Sequence, residues 1–160
     1  MTGPHAFDPA RLLCKGCIEV ELAAETMAGL MQALAEMLAG ATSLDAALIA
    51  EALVQRERVG STAFGGGFAV PHARLSGLDN VVGAFAVLTR PVDLRALDGE
   101  PVDLVYALIS PEEAGADHLK ALAAVSRLMR DNALVEKLRG ASSADAAHAL
   151  LVTHGWSQAA

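Results

Sequence analysis

The sequence predicts an α/β fold: a single-domain sandwich in which helices flank a mixed central sheet. Three observations carry that expectation. Residues 81–89 (VVGAFAVLT) and 102–109 (VDLVYALI) are near-continuous apolar runs of strand length, the pattern of strands covered on both faces. Met27, Leu30, Met31, Leu34, Met37 and Leu38 recur at steps of three and four, which lays one apolar stripe along a helix. A chain of 160 residues, 53% of them hydrophobic, has the length of one domain and ample material for one core.

Taken in order, residues 1–11 read as a mobile leader, residues 12–155 as the folded domain and residues 156–160 as a tail. IEVEL at 18–22 alternates apolar and acidic residues as a half-buried strand does. The Met-rich helix follows and can end at Gly40. Ser43 offers an N-cap for a second helix that buries Leu44, Ala47, Leu48, Ala52 and Leu53 and runs to about Glu57, which puts Arg56 and Arg58 at its C-terminal end. Between the two apolar strands, residues 91–101 (PVDLRALDGEP) carry an Asp98-Gly99 turn signal. The remainder is helical. One helix spans about 118–130 with Leu119, Leu122, Val125 and Met129 on a face, a shorter one passes through Leu134 and Leu138, and a last one begins after Ser142 and Ser143. No internal repeat, linker or low-complexity segment interrupts this pattern.

The formal net charge of −7, with no cluster of lysine or arginine, argues against a nucleic-acid partner. No stretch approaches eighteen uncharged apolar residues and the first residues lack a targeting pattern, so the expectation is a soluble, cytoplasmic protein with no direct membrane insertion. Cys14 and Cys17 have the CKGC spacing shared by redox dithiols and by half of a zinc site. Only His5 lies nearby as a further ligand, and the motif precedes an alternating strand where a redox motif sits between strand and helix. The expectation is therefore two free thiols, no metal and no cofactor.

FGGGFAVPHARL, residues 64–75, is the most unusual stretch. Gly65, Gly66 and Gly67 permit a sharp bend and close backbone approach, and Pro71 biases Val70 toward extended structure, so His72 is rigidly presented from a loop. A dinucleotide fingerprint needs its glycines to open a helix, which FAVP forbids, and a Walker loop needs a GKS/T ending that is absent. His118 follows Asp117 at the expected start of a helix, where backbone N–H groups favour an anion. Two imidazoles, an arginine from 56 or 58 and free donors suit a transferring phosphoryl group, whose loose transition state is stabilised by positioning and cationic donors. A solvated surface histidine at 72, an ordinary helix-end histidine at 118, or a metal- or ligand-binding module without enzymatic activity are the competing readings.

Together, QRERVGSTAFGGGFAVPHARL, VVGAFAVL, DGEPVDLVYALISPEE and DHLKALAAVSRLM make the chain resemble, over residues 18–151, the fructose/mannitol/nitrogen-type enzyme IIA domain of the bacterial phosphotransferase system (PTS EIIA type-2). The resemblance implies that His72, in the Pro-His motif, is the nucleophile phosphorylated by HPr or its nitrogen-branch HPr-like phosphocarrier. It implies that His118 is the partner imidazole and that Arg56 stabilises the phosphoryl charge or docks the donor, with Arg58 a weaker candidate. Ser61 and Thr62 either bond near the loop or cap local backbone. His5, His148 and His154 fall outside the motifs and are expected to be solvated. A free-standing chain of this type resembles the nitrogen-regulatory branch, whose phosphorylation state is read by regulatory kinases and potassium transport systems. The alternative is a subunit that passes phosphate to the IIB protein of a fructose/mannitol-type sugar transporter.

Overall fold

The two apolar runs form the antiparallel centre of a five-stranded sheet in the computed structural model, which describes residues 8–159. β4 (Val82–Val92) pairs with β5 (Val102–Pro111) from Val82↔Ile109 through Val87↔Leu104. β1 (Leu13–Leu22) lies parallel to β4, while β2 (Phe68–Ala69) and β3 (His72–Leu75) both lie parallel to β5 on its other side. The sheet is therefore mixed, and β4 and β5 are its interior strands.

Helices cover both faces, and the alternation of side chains along β5 divides the core in two. Val105, Ala107 and Ile109 point toward α2 (Met27–Ala39) and α3 (Ala46–Val59), where Leu30, Met31, Leu34, Leu38, Ile49 and Leu53 are buried. Leu104, Tyr106 and Leu108 point the other way, into a core shared with Val125, Leu128, Leu134, Leu138 and Leu151 of α4 (Ala116–Leu128), α5 (Asn132–Arg139) and α6 (Ala144–Ala159). Burial on both faces is why these strands are apolar at successive positions instead of alternate ones. The expected α/β sandwich is the observed architecture.

Several boundaries differ from the sequence reading for identifiable reasons. Of the expected leader, residues 1–7, with His5, lie outside the described residues. Pro9–Leu12 is a helical turn, α1, capped by the Asp8 carboxylate, which accepts from the Ala10 amide at 3.0 Å. Ala10 is buried, and the Pro9 carbonyl accepts the Tyr106 hydroxyl, so the turn is anchored to the core. At the other end α6 continues through the expected tail to Ala159.

The first strand begins at Leu13, well before 18. Gly16, at φ +82°, lets β1 bulge: the register advances from Leu13↔Gly83 to Ile18↔Phe85, five steps on β1 against two on β4. In a regular strand, residues three apart point to opposite faces about 10 Å from each other. The bulge instead brings the Cα atoms of Cys14 and Cys17 to 5.1 Å, and the two form a disulfide, which corrects the expectation of free thiols.

The second helix is capped by Asp45, whose carboxylate accepts from the Ala47 amide at 3.0 Å, and not by Ser43. Thr42 and Leu44 are occupied in the turn that closes α2: the Thr42 hydroxyl donates to the Leu38 carbonyl and accepts from the Leu44 amide. The inward face of α3 is accordingly Ile49, Ala50, Leu53 and Glu57, and Leu48 is exposed. On α4 the inward stripe is His118, Ala121, Val125 and Leu128, so that Leu119, expected inside, faces solvent. One residue is 100° of helix rotation, and here an imidazole holds the inward position that hydrophobicity alone assigns to its leucine neighbour.

Candidate functional site

The site is assembled at the end of β5 by segments before and after it in the chain. At the C-terminal end of α3, Glu57 is buried and its carboxylate accepts from the Thr62 amide (2.9 Å) and the Thr62 hydroxyl (2.8 Å). The Ser61 hydroxyl donates to the Leu94 carbonyl at 2.7 Å and accepts from the Ala63 amide. Both hydroxyls are thus engaged: Thr62 with the Glu57 carboxylate, Ser61 with the distant Leu94 carbonyl and the local Ala63 amide. They fix the chain as it leaves the helix, and the Thr62 carbonyl in turn accepts the Val70 amide.

Between these anchors the three glycines turn the chain with φ values of +139°, +72° and +79°. Asp98, of the Asp-Gly turn, accepts from the Gly66 amide at 3.1 Å. On the opposite side Arg139 of α5 donates to the Gly66 carbonyl at 2.6 Å while its guanidinium pairs with Asp103 at 2.9 Å. A Cβ at Gly67 would lie 2.5 Å from an Arg139 nitrogen, so both the positive φ and the close approach require glycine there.

His72 emerges from this clamp as the first residue of β3, paired with Leu108, where the sequence suggested a loop. The Leu108 amide donates to the Pro71 carbonyl at 2.9 Å, which fixes the strand start against β5. The Nδ1 of His72 lies 2.8 Å from the Val70 carbonyl oxygen. A carbonyl only accepts, so Nδ1 carries the proton and Nε2 carries the lone pair.

His118 arrives from the other direction, on the first turn of α4, directly after β5. Its Nδ1 is 2.7 Å from the hydroxyl of Ser110 on β5, and the ring is 6% exposed. The centroids of His72 and His118 are 5.5 Å apart with the rings inclined at 51°. The structure therefore brings the two histidines of the sequence motifs together, each held through Nδ1 and each with Nε2 uncommitted among the described residues.

Both imidazoles are shifted toward neutrality. Burial lowers the pKa of His72, and the Arg56 charge adds to this; the Val70 hydrogen bond and the Glu57 carboxylate oppose it without reversing it. Burial, then the repulsion that two protonated rings would feel and the charges of Arg74 and Arg56, bring His118 down to about 4. Arg56, in the last turn of α3, donates to the Gly60 carbonyl at 3.0 Å and acts electrostatically on both rings. Arg58 is exposed; among the described residues the arginines that act on the imidazoles are Arg56 and Arg74.

Glu57, Ser110 and Arg139 were not identified as site residues by sequence reasoning. Glu57 and Ser110 had a readable signal, a polar residue on an otherwise buried helix face and a polar residue closing an apolar strand. Arg139, far along the chain, had none. Of the other histidines, His148 is exposed, whereas His154 is half-buried with Nε2 3.1 Å from Asp131, a correction to its expected solvation. No three His, Cys, Asp or Glu side chains converge as a metal site among the described residues.

Several large apolar side chains are exposed on the segments that build the site. Phe64, 61% exposed, stands next to the glycine loop, and the backbone of Leu97 bonds to Ala63 beside it; Val59 and Leu119 are also exposed. Leu75 belongs instead to the core at 8% exposure. The Leu75→Ala variant should lose about 2–4 kcal/mol of stability in denaturant unfolding, while Phe64→Ala should lose almost none.

The chain is similar to known proteins over most of its length. Residues 11–153 match the family described as phosphoenolpyruvate-dependent sugar phosphotransferase system, EIIA 2. A nitrogen regulatory protein of Bradyrhizobium diazoefficiens is 47% identical over 121 residues, 76% of this chain and 79% of the relative. One from Pseudomonas aeruginosa is 44% identical over 108 residues, 68% of this chain and 70% of the relative. The crystal structure of nitrogen regulatory protein IIA-Ntr from Neisseria meningitidis superposes with a TM-score of 0.83 at 32% identity, covering 89% of this chain and 97% of the other.

Proposed function

Since this chain belongs to the EIIA type-2 family of the phosphoenolpyruvate-dependent sugar phosphotransferase system, we propose that it is a phosphohistidine carrier that accepts a phosphoryl group on Nε2 of His72. The observation that carries the reading is the pair of imidazoles 5.5 Å apart, with His72 held by the Val70 carbonyl so that Nε2 bears the lone pair. In the transfer, Nε2 forms a bond to phosphorus as the carrier's own N–P bond breaks, and that electron pair returns to the carrier's ring. The Nδ1 proton stays on His72, and the Val70 carbonyl stabilises the positive charge the ring acquires. Arg56 and His118 stand beside the group in flight, where fixed donors count most because they need no reorganisation.

The donor is an HPr-type phosphocarrier. Phe64, exposed beside the glycine loop that leads to His72, offers it an apolar contact, fit for encounters that dissociate quickly. Phe64→Ala should raise KM for the carrier severalfold with little change in kcat, as read from initial rates at varied carrier concentration. An unchanged KM would remove Phe64 from the docking face.

Likeness to nitrogen regulatory proteins over most of the chain favours a regulatory output, in which the phosphorylation state controls binding to partners such as kinases and potassium transport systems. The test is incubation with phosphoenolpyruvate, enzyme I and either a sugar-branch or a nitrogen-branch HPr, followed by intact mass. One added phosphoryl group, gained faster from the nitrogen-branch carrier, is the expected result; no gain from either carrier overturns the proposal. The double variant Cys14→Ser with Cys17→Ser should be phosphorylated at the wild-type rate, because the disulfide closes a very short loop in β1 while His72 lies on β3 across the sheet. A slowed rate in the folded double variant would link β1 to the site.

A further inference from the structure

We infer that Ser110 is a positioning residue that sets the tautomer of His118, making its Nε2 a hydrogen-bond donor toward the phosphoryl group on His72. The inference rests on the proposed phosphoryl transfer for its functional meaning, but its physical content is independent of it. Ser110 has no exposure to solvent, and its hydroxyl makes one hydrogen bond among the described residues, to His118 Nδ1 at 2.7 Å. Two arrangements satisfy that distance. If Nδ1–H donated to the hydroxyl oxygen, the hydroxyl hydrogen would be buried without an acceptor, which is costly. If the hydroxyl donates to Nδ1, every group is satisfied and the ring proton must reside on Nε2.

The second arrangement also fits the electrostatics. The His118 ring, held neutral by burial and by neighbouring positive charge, has a single N–H to place, and only a neutral ring presents a tautomer choice. His72 and His118 are then opposite tautomers: the carbonyl of Val70 puts the His72 proton on Nδ1, and the hydroxyl of Ser110 puts the His118 proton on Nε2. One ring offers a lone pair and the other a donor, and with the centroids 5.5 Å apart a phosphoryl group bonded to the first lies within hydrogen-bonding reach of the second. Ser110 touches neither phosphorus nor carrier, so its contribution should be to the rate at saturation and not to carrier binding.

Nitrogen-15 NMR of the full chain, labelled at histidine and observed near neutral pH, reads the tautomer directly. In the wild type, His118 should show a protonated Nε2 and an unprotonated Nδ1, with His72 the reverse. In Ser110→Ala the His118 pattern should shift toward a mixture, and kcat for phosphoryl transfer should fall about threefold to tenfold, the range of one neutral hydrogen bond, with KM for the carrier unchanged. A wild-type His118 protonated on Nδ1, or a folded Ser110→Ala protein that keeps the Nε2–H pattern, overturns the inference even if transfer slows. Should Ser110→Ala fail to fold, the wild-type spectrum still decides. Absence of any phosphorylation in the wild type would remove the proposed function while leaving the tautomer result to stand or fall by itself.

Discussion

In the His72→Ala variant, incubation with phosphoenolpyruvate, enzyme I and an HPr-type carrier leaves the chain at its starting mass, while the wild type gains one phosphoryl group that is labile in acid and stable in base. The loss should be complete because nothing nearby can substitute. His118 has its Nδ1 engaged by Ser110 and, in the inferred tautomer, its proton on Nε2, so the ring offers a donor and no free lone pair. The Thr62 hydroxyl is spent on the Glu57 carboxylate and the Ser61 hydroxyl on the Leu94 carbonyl. The variant should nevertheless fold. His72 is only half-buried, its side chain bonds among the described residues only to the Val70 carbonyl two residues before it, and β3 is held to β5 by backbone pairing. A folded His72→Ala chain that still gains an acid-labile group would move the acceptor elsewhere.

How much of this site could be read beforehand followed from how local each determinant is. The glycines, Pro71 and His72 form one short stretch whose backbone demands are written in residue type, so the sharp bend was legible there, although His72 opens β3 where a loop was expected. Pairing His118 with His72 required the sheet, because the two meet only through β3 and the start of α4 flanking the same end of β5. The sequence reached that pair through the resemblance of its ordered motifs, not through periodicity, which placed Leu119 inward where the fold places His118. Arg139 was not legible at all: its contact with the Gly66 carbonyl joins residues far apart along the chain, and no spacing rule anticipates it. The disulfide was misread for the opposite reason. CKGC was seen, but the bulge at Gly16 that brings its ends together is a property of β1 pairing with β4.

Replacing His118 by Ala should slow transfer to His72 by about a hundredfold or more at saturating carrier, the loss typical of removing one preorganised donor from a developing charge. Arg56→Ala should show a related defect, since its charge reaches both rings. Unlike His72, His118 is also part of the core, so His118→Ala leaves the Ser110 hydroxyl buried without its partner and should cost about 1–3 kcal/mol in stability. The pH dependence separates the two contributions. Because the His118 pKa is about 4 in the folded state and about 6.5 in the unfolded chain, the unfolded state binds the proton first as pH falls. Stability contributed by the neutral ring is thus fully present above 6.5, declines as pH drops from 6.5 toward 4, and levels off below. His72, also depressed, acts in the same direction and keeps Nε2 unprotonated below its ordinary titration range. Denaturant unfolding of wild type and His118→Ala at a series of pH values should therefore show a shallower acid decline in the variant. Transfer in the wild type should hold its rate at mildly acidic pH, where a histidine of ordinary pKa would be protonated. A variant with the wild-type acid decline would return His118 to an ordinary solvated histidine, and wild-type transfer rates in His118→Ala would remove it from the reaction.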